Sequence, residues 1–78
     1  MSKIYRLDDG VVVEHRGTTY NFPLNAIMVL SEGLSSMVNI KMKSYKRTLI
    51  SIPNEEIEGH KETANDTARY LNNILYGI

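Results

Sequence analysis

The residues best suited to chemistry cluster at 41–47, where Lys41, Lys43, Lys46 and Arg47 surround Tyr45. Cations and an aromatic ring on the solvent side of a hairpin suit phosphate groups: the cations neutralise charge and the ring offers a face to a base. Lys41, Lys43, Tyr45, Lys46 and Arg47 are therefore the candidate binding residues. The plainer alternative is that lysines on the wet face of a strand keep an exposed sheet from pairing with other chains. An acidic run, Glu55, Glu56, Glu58 and Glu62, follows at once. The two patches can neutralise each other within one molecule or between neighbours in an assembly, which favours self-association over nucleic acid.

The other reactive side chains form no recognisable constellation. His15 and His60 alone have an ordinary pKa near neutrality, and they are far apart in sequence with no triad-like order of serine and acid beside them. Glu58-Gly59-His60 with Glu62 supplies metal-ligand types, but no second cluster stands at zinc or iron spacing. Asp8-Asp9 precede a glycine in turn chemistry, and Glu55-Glu56 sit in a polar connection, so both carboxylate pairs read as solvated turns. Isolated glycines at 10, 17, 33, 59 and 77 build no phosphate-cradling loop. Neither catalytic residues, a metal site nor a cofactor is expected.

Composition narrows the setting in which any surface would work. At 78 residues the chain is a single domain, 1–78, near the size at which one core is hard to stabilise alone. With no cysteine, disulfides and thiolate metal sites cannot help, so the core or assembly must. Nine basic residues balance nine acidic ones, leaving no global field toward nucleic acid or an anionic membrane. No stretch has the apolar length of a signal peptide or a membrane span, so the expected location is cytoplasmic, with no membrane partner.

The elements that would position these residues follow from the change of hydrophobic period near residue 60. Before Pro53 the apolar residues alternate in short runs bounded by turns, the signature of strands. Residues 3–7, 11–15 and 19–22 form a meander, with Asp8-Asp9-Gly10 and Arg16-Gly17 at its turns and Gly10 available for positive φ. The run 26–30 fits a covered strand or a helical turn, and 31–36 reads as a loop. Val38, Ile40 and Met42 then face inward while Asn39, Lys41 and Lys43 face out, and 48–52 returns with Ile50 and Ile52 inward. The polar connection 54–62 carries one apolar residue, Ile57, able to peg it to the core. A helix over 63–76 starts at Thr63 as N-cap, carries Ala64, Ala68, Leu71, Leu75 and Ile78 on one stripe, and stops at Gly77.

The expected fold class is α+β: an antiparallel sheet or small open barrel of five to six short strands, with one C-terminal helix packed on it. Its core should comprise Ile4, Val12, Tyr20, Phe22, Ile27, Val29, Val38, Ile40, Met42, Ile50, Ile52, Leu71, Ile74 and Leu75. Tyrosines exposed together with Leu24, Leu34 and Met37 would mark a contact patch, and an unbroken sheet edge would bind by adding a strand.

The texture of the C-terminal half, with Lys46-Arg47-Thr48-Leu49-Ile50-Ser51-Ile52-Pro53 in a short hairpin and Thr67-Ala68-Arg69-Tyr70-Leu71-Asn72-Asn73-Ile74-Leu75 in a terminal helix, resembles small bacteriophage-encoded proteins. That resemblance implies a virion component or assembly factor, located in the host cytoplasm or the virion. The leading expectation is a non-enzymatic protein-protein binding or assembly module whose partner is itself, as a homo-oligomer, or another protein. The alternative is a nucleic-acid-binding accessory protein that uses the basic hairpin.

Overall fold

In the computed structural model, which describes residues 1–26, 30–42 and 47–77, the fold is α+β. The first strands are β1 (Lys3–Leu7), β2 (Gly10–His15) and β3 (Thr18–Pro23), an antiparallel meander in sheet order β1-β2-β3. Arg16 (φ 50°) and Gly17 (φ 80°) form the turn between β2 and β3, both left-handed, as a tight two-residue hairpin turn requires. In the preceding turn the left-handed residue is Asp8 (φ 55°), not the expected Gly10. Gly10 instead pairs with Leu7 and Pro23, where a Cβ would come within 2.9 Å of the Phe22 carbonyl oxygen. The glycine serves close approach of two backbones.

Register decides which of three consecutive valines fills the core. Ile4 opposes Val13, which opposes Tyr20, while Val11 opposes Phe22, so Val11 and Val13 point inward. Val12, the expected core residue, lies on the other face against Tyr5 and Asn21, buried but outside the core cluster. Tyr20 and Phe22 are half-buried at the core's margin.

After a single 3-10 turn at Leu24–Ala26 comes the second sheet, β4 (Ser31–Glu32), β5 (Met37–Lys41) and β6 (Thr48–Pro53) in order β4-β5-β6, with a second 3-10 turn at Leu34–Ser36 between β4 and β5. The expected loop at 31–36 thus holds a two-residue strand and a turn. Val38 opposes Ile52 and Ile40 opposes Ile50, all four facing the core. Beyond Ile40 the register shifts, Lys41 pairs with Thr48, and Leu49 is left as an extra residue. Met42, past this bulge, is half-buried rather than core. The six strands therefore divide between two three-stranded sheets.

The helix α1 (Ala64–Tyr76) begins where Thr63 Oγ1 accepts from the Asp66 N–H at 3.1 Å and ends where left-handed Gly77 (φ 71°) donates to the Asn73 carbonyl at 2.8 Å. Ala64, Thr67, Ala68, Leu71 and Leu75 form its buried face. Ile74, expected in the core, is 48% exposed. At 3.6 residues per turn it sits about 90° round from the centre of the Ala64-Ala68-Leu71-Leu75 stripe. The helix packs against β4, β5 and β1, and Asn72 fastens it: its Oδ1 accepts from the Leu30 N–H at 2.6 Å and its Nδ2 donates to the Leu30 carbonyl at 2.9 Å. Ile27, Val29 and Ile78, also expected to be buried, lie outside the described residues.

The acidic connection is ordered around Ile57, which is 0% exposed. Ser2 forms a parallel bridge with Ile57: the Ser2 N–H donates to the Glu56 carbonyl at 2.6 Å, and the Glu58 N–H donates to the Ser2 carbonyl at 2.7 Å. Among the described residues no helix is long and apolar enough to cross a membrane.

Truncating a fully buried isoleucine leaves a cavity, so Ile57→Ala should lower stability by about 2 to 5 kcal/mol in urea unfolding. Leu71→Asp places a carboxylate in the core and should abolish the cooperative thermal transition, whereas Ile74→Asp should change stability by no more than about 0.5 kcal/mol. Equal effects at 71 and 74 would contradict the helix orientation.

Candidate functional site

Of the expected basic cluster, the structure places Lys41 half-buried at the end of β5 and Arg47 exposed just before β6. Lys43, Tyr45 and Lys46 lie outside the described residues. Two residues of the acidic run are met by cations of the first sheet and its turn: Arg16 Nη2 donates to Glu56 at 3.4 Å, and Lys3 Nζ lies 3.7 Å from Glu58. Exposed pairs of this kind contribute little to stability, but they occupy carboxylates that the sequence left available to a neighbour.

Folding also pairs a serine with a histidine, which spacing did not suggest. Ser2 Oγ and His15 Nδ1 are 2.7 Å apart. As a nucleophile this serine is blocked, because it is 1% exposed and its own N–H and carbonyl are bonded into the Ile57 bridge, leaving no approach for an acyl group. His60 Nδ1 donates to the Ile57 carbonyl at 2.9 Å, so that ring braces the connection. Among the described residues no group of three or more metal-ligating side chains converges. Lys3, Ile4, Tyr5, Glu14 and Glu58 line an open depression of about 390 Å³ on the first sheet. The Tyr5 hydroxyl donates to Glu14 at 2.8 Å, and this bond to the carboxylate holds the phenol above its ordinary pKa. Both carboxylates there already have partners within the chain.

The arrangement that does stand open is a strand edge. A three-stranded sheet leaves two edges whose backbone groups need partners or water. At β1, Ser2 is paired with the Ile57 segment, and α1 lies against the strand, with Arg6 Nη1 3.5 Å from the Leu75 carbonyl. Next to β4, Asn72 takes both backbone groups of Leu30. β6 is interrupted by the bulge at Leu49. β3 has no such closure among the described residues.

Its polarity follows from the turn. In a two-residue hairpin the flanking pair, here His15 and Thr18, exchanges both hydrogen bonds, and bonded pairs then alternate along the ladder. Val13 with Tyr20 and Val11 with Phe22 are the next bonded pairs, and the Leu24 N–H to Asp9 carbonyl bond at 2.8 Å continues the same alternation. The N–H and carbonyl groups of Thr19 and Asn21 consequently point away from the sheet. The strand, Thr-Thr-Tyr-Asn-Phe-Pro, carries no charge. Tyr20 and Phe22 stack with ring centres 6.3 Å apart and planes at 6°.

A second outward feature is Leu34, 90% exposed on the turn between β4 and β5. The two residues after it, Ser35 (φ 57°) and Ser36 (φ 58°), are both left-handed, a conformation that costs L-residues about 1 kcal/mol or more each. Replacing Ser35 by glycine should therefore raise stability by about 0.5 to 1 kcal/mol in urea unfolding, the relief of strain exceeding glycine's entropic cost. Destabilisation would show that the serine side chain holds the turn. No protein-family model matches the chain, no curated protein matches it, and no solved structure matches it.

Proposed function

We propose that the chain is a non-enzymatic protein-protein binding or assembly module that works by strand addition. The observation that supports this reading is the uncharged edge of β3, which no other strand meets among the described residues and along which Thr19 and Asn21 are exposed. Sheets generally guard such edges with lysine, bulges or cover, and strand addition is a recurrent mode of protein recognition. β-branched and aromatic residues suit the strand to that use, and Pro23 limits its length. The resemblance of the C-terminal half to small bacteriophage proteins favours a role within a particle or its assembly machinery. Nucleic-acid binding through the hairpin at 41–47 is the competing proposal.

Ionic strength separates the two. Backbone hydrogen bonds and aromatic cover tolerate salt, whereas phosphate contacts lose affinity steeply with it. Light scattering over a tenfold range of concentration should show association that persists from about 50 to 500 mM salt, and neither duplex nor single-stranded DNA should be retarded at low salt. A chain that stays monomeric throughout overturns self-assembly and would leave the edge to a different protein, and salt-sensitive retardation of DNA would install the competing reading.

A further inference from the structure

We infer that the occupant of the β3 edge is β3 of a second copy of this chain, paired antiparallel about a two-fold axis through Tyr20. The inference rests on the assembly reading above and adds the partner, the register and the symmetry.

Hydrogen-bond accounting selects the register. With Tyr20 opposite Tyr20 of the second copy, Thr19 faces the copy's Asn21 and Asn21 faces its Thr19. Those residues carry the outward groups, so every outward N–H and carbonyl of Thr19 and Asn21 in both copies finds a partner. Pro23, which has no N–H, falls opposite the second copy's Gly17, beyond the strand, where its missing donor costs no rung. Shifting the axis to Asn21 would set Pro23 against Thr19 and leave the Thr19 carbonyl without a donor. The strand is thus complementary to itself, as a two-fold interface requires.

Side chains agree with the backbone. β3 bears no charge, so two copies meet without like charges facing each other along the strand. On the inner side the stacked Tyr20 and Phe22 are half-buried in one chain, and the pairing brings the second copy's aromatics against their open margin. On the outer side Thr19 and Asn21, both exposed, face each other across the axis with polar groups that can hydrogen-bond. At 78 residues each copy also gains from burying surface it cannot bury alone.

The chain has no cysteine, which makes the axis directly testable. Tyr20 would form a non-hydrogen-bonded pair with its counterpart, with Cα atoms about 4.5 Å apart, within reach of a disulfide. Tyr20→Cys should give a disulfide-linked dimer under mild oxidation, and Thr18→Cys, displaced from the axis, should not. Asn21→Pro removes an outward N–H that makes no bond within the chain, so it should weaken association about tenfold or more while the circular dichroism of the monomer is retained. As a check that needs no substitution, amide exchange at Thr19 and Asn21 should slow as the concentration of the unaltered chain rises. Association that leaves those amides fast and survives Asn21→Pro overturns this inference while the assembly reading stands. A chain that never associates overturns both this inference and the self-assembly on which it rests.

Discussion

The backbone pairing between Ser2 and Ile57 is the constraint on which the other contacts depend. The bridge joins the start of β1, in one three-stranded sheet, to the segment leaving β6, in the other. From there a line of hydrogen bonds continues: Asn54 Nδ2 donates to the Lys61 carbonyl at 2.9 Å, and the Lys61 N–H donates to Thr67 Oγ1 at 2.8 Å, inside the buried face of the helix. First strand, connection and helix are thereby held to one geometry, with Ile57 filling the space beneath. The same line contains a buried cost, because Asn54 Oδ1 has no partner among the described residues.

Edges are closed by unlike means, and the difference matters for how the molecule meets others. β1 is met at its start by a backbone segment and along its length by the helix, the residue before β4 is held by a single amide at Leu30, and β6 is disrupted by an added residue at Leu49. Each device spares a backbone group from being left dry or from recruiting a stranger. Against that background the plain, uncharged β3 is an exception among the described residues, where no such device meets it.

Much of the architecture was legible in residue patterns. The helix was readable to within a residue at either end because capping threonine, apolar stripe and terminal glycine agree, and the meander was readable because turn residues separate β-branched runs. What escaped was set by contacts distant in sequence. Three valines in a row contain no alternation, so only pairing with Ile4 and Phe22 reveals that Val11 and Val13, not Val12, face the core. Ile74 is apolar at a plausible spacing, yet the stripe ends short of it. The pairing of Ser2 with His15 joins residues on different elements, and nothing local announces it. Charge such as that of 41–47 is visible in a sequence, whereas an edge is defined by what fails to pair with it, which shows only when strands are set beside one another.

The Ser2–Ile57 bridge also has a consequence for biosynthesis. Chains leave the ribosome N-terminus first, and contacts between distant segments form late. The β1–β3 meander is complete as soon as Pro23 has emerged, but the Ile57 segment and the helix that cover β1 are made last. During that interval the nascent sheet lacks both the segment and the helix that lie against β1. The β1 edge is therefore the last to gain its cover, and it stays bare until the C-terminal third of the chain has been made.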